Sequence, residues 1–417
     1  MGARVDVADL RGWGRLAFDA TLGVTAVVEA MHHNIARGPW FLDAPGSART
    51  RGLTGLVYGA VRGVTRLAGE GYDAAVSRLA GRAGASSAGR EAVLAALNGV
   101  LGDHLAATGN PLAIPMRLCF EGRPVALERA ALAEAIPGAT SKVVVLVHGL
   151  CTNPQRWCRR GHDHGAALAR DLGYTPLYLH YNSGLHVSTN GRAFAGILEA
   201  LQRAWPVPLR DLTVLGHSMG GLVARSACHH GTAAGHAWPE RLTNAIFLGT
   251  PHHGAALERG GNWVDVVLGV SPYTAPLARV GRIRSAGITD LRHGSLLDED
   301  WQGRDRFASW RDPRRPVALP PGVRCLAIAG TSARRRSAAA DLLGDGLVPL
   351  ASALGRHRDP ARTLAFGAGG RAIARGVGHL DLLCDPGVYE RVRRWLAPQR
   401  RAGGPATSSR TGAARRR

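Results

Sequence analysis

The chain has 417 residues, 45% of them hydrophobic, enough for a sizeable core in two or three domains or in one large α/β domain with extensions. Its formal net charge is +21, yet all but one of its 52 basic residues are arginine, Lys142 being the exception. Beside so much alanine and glycine this reads first as GC-rich coding bias with generic solubility, and second as attraction to an anionic membrane face; nucleic-acid binding is not expected, because no reader motif or basic-aromatic module is present.

Six cysteines (Cys119, Cys151, Cys158, Cys228, Cys325 and Cys384) show no Cys-x-x-Cys spacing and read as reduced residues of an intracellular protein. Cys151 and Cys158 are the one pair open to another use. The N-terminus carries no apolar run of signal-peptide type, Asp6 argues against myristoylation, and no window holds the roughly 20 apolar residues of a spanning helix. The expectation is a cytoplasmic protein, with peripheral contact to an anionic membrane as its second reading.

In chain order, apolar residues recur at helical spacing in three stripes: Leu16 to Ile35, Leu53 to Leu67 and Val93 to Leu105. They predict a helical N-terminal region over residues 1–110, with loops such as Gly81 to Gly89 between its members. Packing against the rest of the chain is the leading use of these stripes, ahead of a membrane surface or a protein partner. Short extended runs at Met116 to Leu118 and Pro124 to Leu127 flank Glu121-Gly122, a hairpin that opens the next unit. Strands and helices then alternate: strand Val143 to Val147, helix Ala166 to Leu172, strand Pro176 to His180, helix Phe194 to Ala204, strand Leu212 to Leu215 and helix Leu222 to His230. Strands Ala245 to Leu248 and Val323 to Ala329, a weaker strand near Thr363 to Phe366 and a closing helix Val388 to Leu396 complete the series. The order implies right-handed crossovers and a mainly parallel sheet with helices on both faces, over 111–400.

The alternation breaks at about 255–321, where Trp263, Val264, Val266, Val267, Leu268, Trp301 and Trp310 stand among polar residues and prolines. That stretch reads as a cap, its apolar residues lining an acyl pocket or forming a small core of their own. The Arg-rich segment 401–417 reads as disordered.

Chemistry concentrates at the ends of strands. Gly216-His217-Ser218-Met219-Gly220 is a Gly-x-Ser-x-Gly run between a predicted strand and helix, the setting of a sharp turn that exposes a serine at a helix N-terminus. A serine hydroxyl needs a base and an acid to orient that base. Asp345, in Gly344-Asp345-Gly346-Leu347-Val348-Pro349, lies in a turn that flanking glycines permit, with Asp341 its competitor. His379 follows the last predicted strand, with His357 the fallback. The N–H groups of Met219 and of Leu150, just after His148-Gly149, are the two oxyanion donors. His148 orders its loop by hydrogen bonding and His217 packs into the sheet. His162-Asp163-His164 is a weak metal-ligand cluster, and no metal is expected.

His148-Gly149-Leu150, Gly216-His217-Ser218-Met219-Gly220-Gly221, Gly249-Thr250-Pro251-His252-His253-Gly254 and Asp345-Gly346-Leu347-Val348-Pro349 together resemble the lipase and esterase branch of the α/β-hydrolase superfamily. The likeness covers about 112–398, and the combination is similar to bacterial triacylglycerol lipases and to the GPI inositol-deacylase-like group. It implies an α/β-hydrolase fold, to which the cap stretch and the N-terminal helical region, without a counterpart in the family's minimal fold, are additions read from the residues, and hydrolysis of lipophilic carboxylic esters through an acyl-serine formed by Ser218, Asp345 and His379, without a cofactor. The same triad in an acyltransferase or an intracellular polyester depolymerase, and a silent lipid-binding module, are the alternatives.

Overall fold

The computed structural model describes residues 7–37, 52–78, 88–255, 284–304, 312, 314–334 and 344–397. An eight-stranded sheet runs in the order β2-β1-β4-β3-β5-β6-β7-β8. The strands are β1 (Arg117–Phe120), β2 (Arg123–Pro124), β3 (Lys142–Val147), β4 (Thr175–His180), β5 (Asp211–His217), β6 (Leu242–Leu248), β7 (Arg324–Thr331) and β8 (Arg371–Arg375). Strands β3 to β8 are parallel, whereas β1 lies antiparallel to β4.

Pattern explains the layers. Val143, Val145 and Val147 share one cluster with Phe194, Leu198 and Leu222, while Val144 and Leu146 share another with Leu168, Val388 and Val392. The period of two in β3 thus sends alternate side chains to opposite faces, and an unbroken valine run is what a strand covered on both sides requires. Helices α6 (Val187–Ala204) and α7 (Met219–Ala233) cover the first face; α5 (His164–Leu172) and the closing helix Pro386–Leu396 cover the second. Chain order reverses at β3, whose neighbours are β4 on one side and β5 on the other. The crevice beyond the carboxyl ends of β3 and β5 is therefore the switch point at which such sheets build sites.

The expected strand near Thr363 to Phe366 is not one: a 3-10 turn at Pro360–Arg362 precedes an irregular run, and the eighth strand is β8. Leu364 and Phe366 instead fill a small core with Phe247 and Ala327. The edge strand Arg-Ala-Ile-Ala-Arg has too little apolar alternation to announce itself.

Helices α1 (Val7–Arg37), α2 (Gly52–Arg78) and α3 (Ala88–Ala107) precede the sheet. Asp73 of α2 accepts from Arg11 and Arg15 of α1, and Gly14 lets the Tyr72 ring approach so closely that a Cβ there would lie 2.0 Å from it. The second stripe does not face the core: Leu56, Val64 and Leu67 are 70%, 67% and 69% exposed. Its period is helical, but α2 turns that face outward, because the contacts with α1 run along glycine and charged positions. The third stripe is buried, with Leu94, Leu97, Val100 and Leu105 in the interior. No helix among the described residues is long and apolar enough to cross a membrane.

Of the residues named for the expected cap, Trp301 is described and stacks flat on His186 with ring centroids 3.8 Å apart. Trp263, Val264, Val266, Val267, Leu268, Trp310, Asp341 and the segment 401–417 lie outside the described residues, as do 81–87 of the predicted loop.

Candidate active site

Ser218 stands between β5 and α7 with φ 54° and ψ −126°, a conformation that L-residues rarely adopt. Three glycines make the turn possible. A Cβ on Gly216 would lie 2.6 Å from Gly221 Cα, one on Gly220 would lie 2.2 Å from the Val147 carbonyl oxygen, and one on Gly221 would lie 2.0 Å from Thr250 Oγ1. The elbow is tied to the neighbouring strand by Ser218 N donating to the Leu248 carbonyl at 2.8 Å. Met219 is the first residue of α7, so its N–H has no acceptor within the helix and is free for an anion.

Asp345 and His379 meet as a buried pair. His379 Nδ1 lies 2.7 Å from Asp345 Oδ2, and the His379 amide donates to the Asp345 carbonyl at 3.1 Å. The other carboxylate oxygen, Oδ1, accepts from the amides of Leu347 (3.0 Å) and Val348 (2.9 Å), so Oδ2 is left to the imidazole. Gly344 turns the chain at φ 56°, where a Cβ would lie 1.9 Å from the Val348 carbonyl oxygen. The His379 loop is fixed beside the nucleophile: His217 Nε2 bonds to the His379 carbonyl oxygen at 3.0 Å. Gly249, at φ 55°, closes the other side; a Cβ there would lie 3.0 Å from Asp345 Oδ2 and 3.2 Å from His379 Cε1. Ser218 follows β5, Asp345 follows β7 and His379 follows β8, and of the three the structure bonds His379 to Asp345. His357 is elsewhere, its ring 5.0 Å from that of His253.

Leu150 follows Gly149, whose missing side chain brings the loop within 3.0 Å of Ser218 Cβ, measured from where its own Cβ would be. His148 holds this loop, with Nδ1 2.8 Å from the Gly149 carbonyl oxygen and its ring stacked on Tyr181 at 4.4 Å. Tyr181 donates its hydroxyl to the His148 carbonyl at 2.8 Å. His162 and His164 are bonded to each other and to the His379 side of the fold: His162 Nε2 lies 2.8 Å from His164 Nδ1, and His164 Nε2 lies 2.9 Å from the Leu382 carbonyl oxygen in the turn after His379. Cys151 and Cys158 are unbridged.

Sequence reasoning passed over the support that α3 lends to this loop. A Cβ on Gly99 would lie 2.1 Å from Cys151 Sγ, and one on Gly102 would lie 1.8 Å from Asn182 Oδ1. Asn182 Nδ2 donates to the Gly102 carbonyl at 2.8 Å, and Ser183 Oγ accepts from the Cys151 amide at 3.1 Å. Two glycines three apart inside an otherwise apolar helix were the available signal of a close approach.

Several histidines around the sheet are buried and neutral. Burial pulls His148 and His253 down to about 3, and His164 and His180 down to about 4. In the unfolded chain each titrates near 6.5, so below about that pH the unfolded state binds protons that the folded state refuses. Their contribution is complete above about 6.5 and is lost as pH falls toward about 4, at about 1.4 kcal/mol per pH unit for each histidine. Melting temperature should therefore drop steeply from pH 7 to pH 5 in a thermal scan; a flat profile would contradict the assignment.

A doubly wound sheet with a strained serine turn after β5, and a bonded His–Asp pair whose members follow β8 and β7, is the α/β-hydrolase arrangement. The chain has the α/β-hydrolase fold. The family model for a PGAP1-like alpha/beta domain matches residues 188–312, the span from α6 through the elbow into the cap. Among solved structures, the chain is similar to a lipase from Bacillus licheniformis in its mature form (20% identity, 58% of this chain and 86% of that one, TM-score 0.37). It is also similar to an esterase from Pyrococcus furiosus (14% identity, 62% and 83%, TM-score 0.35). A phospholipase from Legionella pneumophila matches at 16% identity over 52% of this chain and 46% of its own, with TM-score 0.33. No curated protein matches the chain.

Proposed function

We propose that this protein is a serine hydrolase of carboxylic esters with lipophilic acyl groups, using Ser218 as nucleophile, His379 as base and Asp345 as the group that orients the base. The observation that carries this reading is the His379–Asp345 bond at 2.7 Å beside a serine held in a strained elbow. With the Nδ1 proton donated to Asp345, the Nε2 lone pair is left to take the serine proton. Ser218 Oγ then attacks the ester carbonyl, and the amides of Leu150 and Met219 hold the oxyanion. Collapse expels the alcohol, protonated by His379, and leaves an acyl-serine. Water, deprotonated by the same imidazole, releases the acid.

An ester series of increasing acyl length, assayed on the wild type and on Ser218→Ala, tests the reading. Short and medium chains should be turned over by the wild type, and the substitution should lower kcat by about 10⁴-fold or more. Equal turnover by both would refute it. A wild type that a fluorophosphonate probe leaves unlabelled would favour the silent module, and ester products formed with an added alcohol would favour acyl transfer.

The outward ridge of Leu56, Val64 and Leu67 gains a use under this proposal, because a chain of net charge +21 presenting exposed branched residues suits an anionic lipid surface. Pelleting with phosphatidylserine-containing vesicles should fall when all three become serine; unchanged pelleting would remove that role.

A further inference from the structure

A cavity of about 630 Å³ lies on the α7 side of β6 and β7, lined by Arg225, His252, Arg314, Val317, Leu319 and Leu364 among others. Its volume is that of an ordinary small-ligand site. The catalytic residues are not among its lining, although α7, which begins at Ser218, supplies Arg225 two turns further on, and His252 belongs to the loop that starts at Gly249.

Arg225 is only 4% exposed and has no carboxylate partner among the described residues. Its Nη2 donates to the Val317 carbonyl and its Nη1 lies 3.4 Å from His252 Nδ1, but its Nε has no hydrogen-bond partner. Burial, with Arg314 adding to it, lowers its pKa to about 10, so the guanidinium stays charged at neutral pH. The nearby thiols do not balance it: burial pushes Cys228 and Cys325 up to about 12, leaving both neutral.

Two other arginines of the wall share a carboxylate, and Arg324 donates to the Trp395 carbonyl at 2.8 Å. Arg314 pairs with Asp312 at 2.8 Å, and Arg362 pairs with the same carboxylate at 3.0 Å. Asp300, the acid in the lining, accepts from the amides of Leu296 (2.8 Å), Leu297 (3.0 Å) and Arg315 (3.3 Å). His252 is fully buried; with Nδ1 facing the Arg225 donor its proton belongs on Nε2, and that atom also has no hydrogen-bond partner. A buried cation without a counter-charge is costly in a folded protein unless an anion completes it. The lining also holds apolar side chains, Val317, Leu319, Pro320 and Leu364.

We infer that this cavity is a second binding site, for a small amphiphilic oxyanion whose carboxylate or phosphate head sits on Arg225 while its apolar body lies along Val317 to Pro320. The site stands apart from the catalytic serine and does not depend on the proposed esterase activity.

The test is calorimetric titration of the full chain with decanoate, decyl phosphate and, as the uncharged control, decanol, all below micelle formation. At least one anion should bind the wild type while decanol does not, and the tighter anion identifies the head. Arg225→Met should weaken that binding at least about tenfold. Leu319→Trp, which fills the cavity without touching Arg225, should abolish it and keeps the test alive if Arg225→Met does not fold. Absence of binding by both anions, binding of decanol as tight as theirs, or unchanged affinity in the folded variants would overturn the site.

Discussion

Asp345→Asn should lower kcat by about 10⁴-fold and leave the fold intact. The reason lies in the division of labour between its two oxygens. Oδ1 accepts from the Leu347 and Val348 amides, and an asparagine keeps those bonds only by placing its carbonyl oxygen there. Its NH₂ group must then face His379 Nδ1, where the carboxylate oxygen stood 2.7 Å away. A donor opposite Nδ1 makes that nitrogen the acceptor and moves the ring proton to Nε2, so the atom proposed as the base is already protonated and cannot take the serine proton. Asp345→Ala, by contrast, removes the turn bonds as well and should lower the melting temperature in addition to the rate. Steady-state kinetics with thermal scans on both variants separate the two effects. An asparagine variant with near-wild-type kcat would remove Asp345 from the proposed chemistry.

What could be read from the sequence, and what could not, divides along the range of the interactions. Gly216 and Gly344 are required by backbone contacts within a few residues, with Gly221 and Val348, so the elbow and the acid turn are written in part as local patterns. The parallel strands β3 and β5 are likewise visible, because burial on both faces forces an unbroken run of branched residues. The eighth strand escaped because Arg371–Arg375 sits at an edge, where alanine and arginine satisfy the ladder without a hydrophobic signature. Which way an apolar stripe faces is also not local. Leu53 to Leu67 and Val93 to Leu105 have the same helical period, yet α2 shows its stripe to solvent and α3 buries its own, since only contacts distant in the chain decide the orientation. The charge imbalance at Arg225 was equally hidden, for its lack of a counter-ion is a property of the folded surroundings and not of the residues beside it in sequence.

Gly99→Ala should lower kcat by about 100-fold at little cost in KM, although the residue belongs to an N-terminal helix far from Ser218 in sequence. The added methyl would meet Cys151 Sγ at 2.1 Å and the Cys151 Cα and amide nitrogen at 2.9 Å, so the side chain alone cannot give way and the backbone must move. Cys151 follows Leu150 directly and already adopts φ 57°, with its amide held by Ser183 Oγ. Displacing it turns the adjoining peptide and misaims the Leu150 N–H, one of the two proposed oxyanion donors. An oxyanion donor acts on the transition state more than on the bound ester, which is why the loss should appear in kcat. Adding Cys151→Gly to the same chain removes the sulfur and suits the left-handed backbone, and it should recover part of the rate. A Gly99→Ala enzyme with unaltered kcat, or a double variant no better than the single, would mean that α3 supports the fold without setting the geometry of the oxyanion loop.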